Sequence, residues 1–143
     1  MYVLELRSTG RVLKRYPVSL GTNPVDRKLH YDNATTPEGR YHISYRWPKA
    51  TYYKALGVSY PNAEDRRRYR EAKNEGRVPR LSNGSIADIG GAIQIHGGGI
   101  ANNWTWGCIA LENDDIDELF EIGCIGVNTP LFITGSEIKR GDL

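Results

Sequence analysis

The chain has 143 residues, 39% hydrophobic and 25% charged, with a formal net charge of +2. That composition fits a single globular domain spanning 1–143, long enough to bury a core. The small charge makes no case for nucleic acid, and no stretch approaches the roughly 18 apolar residues of a membrane span.

Sixteen glycines, seven prolines and nine tyrosines favour a turn-rich, β-dominated fold, with aromatic side chains to spare for a groove. Residues 2–6 and 11–18 read as strands joined by a hairpin turn at Ser8, Thr9 and Gly10. Residues 20–22 close that unit, and 26–36 form a polar loop that contains His30. Thr36, Pro37, Glu38 and Gly39 turn into a strand at 41–45, which contains His42, and 53–59 is a further short strand. Pro61 and Asn62 open a helix whose early Glu64 and Asp65 suit the macrodipole, and Gly76 ends it near Glu75. Its mixed basic and acidic residues read as a solvated face, with a cationic rim over a groove as the alternative. Residues 81–91 form a loop.

Two apolar runs follow, 93–95 and 109–111. Beyond them Asn113 or Asp114 is expected to cap a helix reaching about Ile122. Ile116, Leu119 and Phe120 recur at i, i+3, i+4, so one face packs on a sheet. Asp114, Asp115 and Asp117 load its first turn and, lacking a nearby histidine, read as dipole partners rather than metal ligands. Gly123 stops the helix. Residues 127–134 return as a strand whose Pro130 points to an edge or a strand start. No metal and no cofactor is expected, because no histidine pair has helical i, i+4 spacing and no nucleotide-binding motif occurs.

Between the two apolar runs lies the chemistry. His96 ends the first run, Gly97 to Gly99 follow, and Gly107-Cys108 opens the second. Two strands joined this way bring an imidazole towards a thiol, the usual means of making a nucleophile at neutral pH. Gly107 permits a sharp turn, so the N–H groups of Gly107 and Cys108 are expected to face an oxyanion. The second cysteine, Cys124, is expected to pack, with both thiols reduced.

This pattern resembles the YkuD-type L,D-transpeptidase domain. That family carries His-Gly, a loop of about a dozen residues, then Ser/Thr-His-Gly-Cys before an apolar strand. His96-Gly97 matches the first part; Thr105, Gly107, Cys108 and Ile109 match the second. Trp106 stands in place of the motif's second histidine, and Ala110 in place of a frequent arginine. The likeness extends to 36–41, to 57–62 and to 113–116.

The resemblance implies a mainly β (α+β) sandwich of two packed mixed sheets with two short helices. It implies that Cys108 attacks a carbonyl as nucleophile and that His96 is the base, its Nδ1 proton held by the Gly97 carbonyl. Trp106, Thr105, Tyr60, Asn102 and Trp104 are the candidate substrate-binding residues. The implied substrate is a peptidoglycan tetrapeptide stem, held as a thioester and passed to an amine: another stem, a D-amino acid or a protein. The alternatives are a hydrolase of the same fold, such as an L,D-carboxypeptidase or a secreted wall-targeting effector, and an inactive wall-binding module. A monomer is expected, working in the periplasm or cell wall, although no leader is visible in the sequence.

Overall fold

The computed structural model describes residues 2–135; Met1 and 136–143, which belong to the expected single domain, lie outside the described residues. Strands β1 (Tyr2–Ser8) and β2 (Arg11–Val18) pair antiparallel as a separate two-stranded sheet. Thr9 and Gly10 between them both have positive φ, 50° and 77°. Two left-handed residues in succession give the turn whose twist matches a hairpin.

The second sheet holds β3 (Gly39–Ala50), β4 (Tyr53–Val58), β5 (Gln94–His96), β6 (Ile109–Ala110) and β7 (Pro130–Ile133), in the order β6-β5-β4-β3-β7. Its pairings are antiparallel except β5 with β6, which run parallel. Helices α1 (Ala63–Asn74) and α2 (Asn113–Glu121) complete the expected mainly β, two-sheet, two-helix architecture. Only the larger sheet is mixed; the hairpin sheet is antiparallel. Pro130 starts β7 at the sheet edge, opposite His42, where its missing N–H leaves no ladder bond unmade.

Strand β3 outruns the expected 41–45. Its second half, 46–49, is exposed on both faces and has no alternation to betray it. Helix α1 begins as its sequence dictates. The Asn62 side chain accepts from the Asp65 N–H at 2.9 Å, and the Asp65 carboxylate accepts from the Asn62 N–H at 2.9 Å. Arg67 pairs with Glu64 and Glu71 on its exposed face, which fits the solvated reading of the charged run. Helix α2 departs from expectation at its start. Its cap position is Glu112, with no side-chain hydrogen bond, because Asn113 is engaged elsewhere.

The core takes Tyr16 and Val18 from β2, Ile43, Leu56 and Ile95 from the larger sheet, and Ile116 and Leu119 from α2. Burying each such aliphatic side chain contributes about 1.5–3 kcal/mol. Cys124 does not join them: it is exposed in the α2–β7 connection, although its neighbour Ile125 is buried. The short chain segment after Gly123 turns one residue inward, and Ile125 takes that place. Among the described residues no helix is long and apolar enough to cross a membrane.

Candidate active site

Strand register assembles the site. Ile95 lies opposite Ile109 and His96 opposite Ala110, in parallel pairing. Side chains alternate across a strand, so Ile95, Ile109 and Leu111 enter the core while His96 and Ala110 face the other way. Continuing that alternation one residue before β6 puts Cys108 on the His96 face. The 97–108 loop that joins the two strands is braced by the segment after β2. Ser19 and Ala110 exchange both backbone bonds, at 3.0 and 2.8 Å. Thr22 N–H donates to Thr105 O, and Thr105 N–H donates to Leu20 O.

His96 is 2% exposed, and its Nδ1 lies 2.5 Å from the Gly97 carbonyl oxygen. A carbonyl only accepts, so Nδ1 carries the proton and Nε2 is left as the basic nitrogen. Burial pushes the imidazole below its ordinary value, against the pull of the Gly97 hydrogen bond. It is therefore neutral at pH 7, as a base must be. Two aromatic rings hold it. Tyr52, in the β3–β4 turn, stacks on it at 4.9 Å and 26°, and Trp104 meets it edge-on at 5.5 Å. Trp104 is fixed in turn by its indole N–H, which donates to Gly99 O at 3.0 Å.

Cys108 is half-buried and free. Its thiol donates to the Ala92 carbonyl at 3.6 Å rather than to the imidazole in this resting arrangement. Ala92 has φ +54°, an uncommon backbone for a residue with a Cβ, and this aims its carbonyl at the sulphur. Burial raises the thiol above its ordinary range, while the Gln94 backbone amide and the Lys28 charge hold it down. The resting pair is thus a thiol and a neutral imidazole, not an ion pair.

The oxyanion expectation needs correction for one donor. Gly107 N–H donates to Thr105 Oγ1 at 3.2 Å, and Thr105 Oγ1 donates to Cys108 O at 2.7 Å. The Gly107 amide is thereby committed to shaping the loop. Gly107 itself is dictated twice over. Its φ is +131°, and a Cβ there would lie 2.6 Å from Thr35 O.

The substrate-binding candidates separate into two groups. Thr105 is buried and braces the loop from behind, and Tyr60 is buried with its hydroxyl donating to Ile89 O at 2.8 Å. Neither offers surface to a ligand, because each side chain's polar atom is already spent on the protein's own backbone. Asn102 and Trp104 do line an open cleft beside His96, together with Tyr52, Gly98, Gly99 and Glu112. Trp106, two residues before Cys108 in the chain, is 65% exposed and is not among the residues that line this cleft.

Three participants escape a reading of the sequence. Tyr52 sits in a turn with no local signal of a partner forty residues away. Asn113 leaves its capping position to accept from Gly98 N–H at 3.0 Å, tying α2 to the glycine loop. Lys28, one lysine in a polar loop, proves to be only 5% exposed. Only the run of glycines at 97–99 hinted that other groups approach this loop closely: a Cβ on Gly97 would meet Asn113 Oδ1 at 2.5 Å.

Comparison with known proteins bears on the fold and the family. The solved structure of Pgp2, a helical cell shape determining protein from Campylobacter jejuni, superposes with a TM-score of 0.62 at 22% identity, covering 90% of this chain and 41% of that one. An L,D-transpeptidase from Xylanimonas cellulosilytica gives 0.59 at 15% identity, with 92% and 55% covered. Bd1075 from Bdellovibrio bacteriovorus gives 0.55 at 24% identity, with 87% and 39% covered. At such identities the likeness is one of fold, and the chain spans about 39–55% of the length of these structures. No curated protein matches the chain. Residues 1–133 match the family described as "YkuD: L,D-transpeptidase catalytic domain". With nearly the whole chain matched and the fold shared, this protein belongs to the YkuD L,D-transpeptidase catalytic domain family.

Proposed function

We propose that the domain is a cysteine acyl-transferase acting on peptidoglycan tetrapeptide stems in the periplasm or cell wall. The observation that carries this reading is the held imidazole. His96 has its Nδ1 proton fixed on Gly97 O and, among the described residues, no hydrogen-bond partner on Nε2, on the strand next to Cys108 and on the same face. In the proposed reaction the Cys108 thiol swings from Ala92 O towards His96, which takes the proton as sulphur attacks the carbonyl before the terminal D-residue. The oxyanion is stabilised by the Cys108 amide. The imidazolium then protonates the departing amine, leaving a thioester on Cys108. An incoming amine, deprotonated by His96, takes the acyl group and restores the thiol.

The test is product analysis by mass spectrometry on purified tetrapeptide stems, with and without an added D-amino acid. The expected result is a stem in which the added D-residue replaces the original one. Formation of tripeptide alone, at the same rate in both arms, would make water the acceptor and the domain an L,D-carboxypeptidase. Intact stems after incubation with folded protein would contradict enzymatic function on this substrate.

A further inference from the structure

Among the described residues Lys28 is the one lysine held almost wholly out of solvent, 5% exposed, beside the loop that carries Cys108. Taking an ammonium out of water costs several kcal/mol unless something opposite in charge receives it. Among the described residues no carboxylate does so directly. Among the described residues the only hydrogen bond of the Lys28 Nζ is a long one, 3.5 Å, to its neighbour's carbonyl, His30 O. It also lies 5.7 Å over the Tyr60 ring, a weak cation–π contact.

The carboxylate on that side, Asp65 of α1, is already occupied. It accepts from Tyr41 Oη at 2.9 Å and Asn62 N–H at 2.9 Å, and it pairs with Arg68. Against the other side of the ammonium stands the nucleophile loop. The Lys28 Nζ is 3.5 Å from the position a Cβ on Gly107 would take, directly before Cys108. His30 adds no second positive charge, because its Nδ1 accepts from Asp32 N–H and burial lowers its affinity for a proton. Tyr60 spends its hydroxyl on Ile89 O, and burial raises it far above neutral pH, so it stays uncharged.

From this placement we infer that Lys28 is the electrostatic partner of Cys108, a buried ammonium that stabilises the thiolate as its proton leaves for His96. The inference rests on Cys108 being the nucleophile. The step balances without any further reactant. The sulphur's proton passes to His96 Nε2, the sulphur's electron pair forms the C–S bond, and Lys28 keeps all three of its protons throughout. The site has no arginine after the cysteine, Ala110 standing there instead. Lys28 supplies a positive charge from the opposite end of the chain. The mutual pull is consistent with the titration of both groups: Lys28 holds the thiol down, and the thiolate holds the lysine up, each against burial.

The experiment follows the rate of Cys108 alkylation by iodoacetamide against pH, in a Cys124→Ala background that leaves one reactive thiol. Lys28→Met keeps the length and removes the charge. It is expected to raise the apparent thiol pKa by about one unit or more, the usual effect of losing an opposite charge at close range. Alkylation at pH 7 then falls roughly tenfold. Lys28→Arg is expected to restore most of the rate. A Lys28→Met protein that titrates with its parent overturns the inference. If Lys28→Met fails to fold, the coupling is read from the other partner, by the NMR titration of the Lys28 Cε with Cys108 present and in Cys108→Ala. Removing the sulphur is expected to lower the Lys28 pKa, and an unchanged value overturns the inference. Retained turnover by Cys108→Ala, in contrast, would overturn the nucleophile itself, so the two failures are distinguishable.

Discussion

Gly107→Ala is the sharpest steric test of how the loop presents the thiol. The residue sits at φ +131°, a region that side chains rarely enter, at a cost of about 1–3 kcal/mol. The added methyl would also lie 2.6 Å from Thr35 O and 3.1 Å from Ile93 Cδ1. The first is a backbone atom of a buried residue and cannot swing away, so overpacking adds roughly 1–3 kcal/mol more. The sum is about 2–6 kcal/mol, which for a chain of 143 residues lowers Tm by roughly 8–24 °C. Gly76→Ala is the control. Gly76 has φ +71° with nothing within 4 Å of a Cβ, so only the left-handed strain of about 1 kcal/mol applies, roughly 4 °C. Melting followed by circular dichroism measures both, and Cys108 alkylation reports whether the thiol has moved. A Gly107→Ala protein that melts with the Gly76→Ala control would refute the reasoning.

Further outcomes follow from the same geometry. His96→Gln is expected to slow acylation by roughly 10²- to 10⁴-fold at pH 7, with partial recovery at higher pH as hydroxide ionises Cys108; a wild-type rate of thiol modification by a carbapenem would remove His96 as the base. The imidazole's depressed pKa keeps it neutral in the folded protein, so the acid limb of activity should lie below about pH 6.5. The same depression favours the folded state above that pH. This contribution is lost as the pH falls below about 6.5, because the unfolded chain then takes up the proton, and urea titrations at pH 5 and 7.5 should show a smaller difference for His96→Gln than for wild type. Trp106, exposed and bonded to nothing in the loop, is expected to serve only as a contact for substrate. Trp106→Ala should raise KM for stem peptide roughly fivefold, about 1 kcal/mol of ring contact, and leave iodoacetamide alkylation unchanged; slower alkylation would mean that it shapes the loop.

The candidate site was legible because it is nearly contiguous. A histidine and a cysteine flanking one glycine-rich loop need only adjacent strands to share a face, and the apolar runs on either side predict those strands. The glycines were informative for the same reason: each answers a local steric demand, as at Gly107. What the sequence hides is supplied from a distance. Tyr52 reaches His96 only because β3 and β4 turn beside β5, and no pattern near Tyr52 encodes that. Asn113 has the residue type of a helix cap, but its side chain finds the Gly98 amide first. Lys28 reads as a solvated lysine in a polar loop, and its burial is decided by Tyr60 and Gly107, both far along the chain. Tyr60 and Thr105 mislead in the opposite sense, since residue types common in binding grooves are here consumed by backbone hydrogen bonds.

The proposed mechanism passes through a thioester on Cys108, and trapping that thioester tests it. Protein is quenched in acid during turnover of a tetrapeptide stem, its intact mass is taken, and the modified peptide is mapped before and after hydroxylamine. The expected result is a hydroxylamine-labile acyl adduct on Cys108, unaltered by Cys124→Ala and absent, with turnover, from a folded Cys108→Ala protein. An adduct on Cys124, or a Cys108→Ala protein that turns stems over at the parent rate, would contradict it.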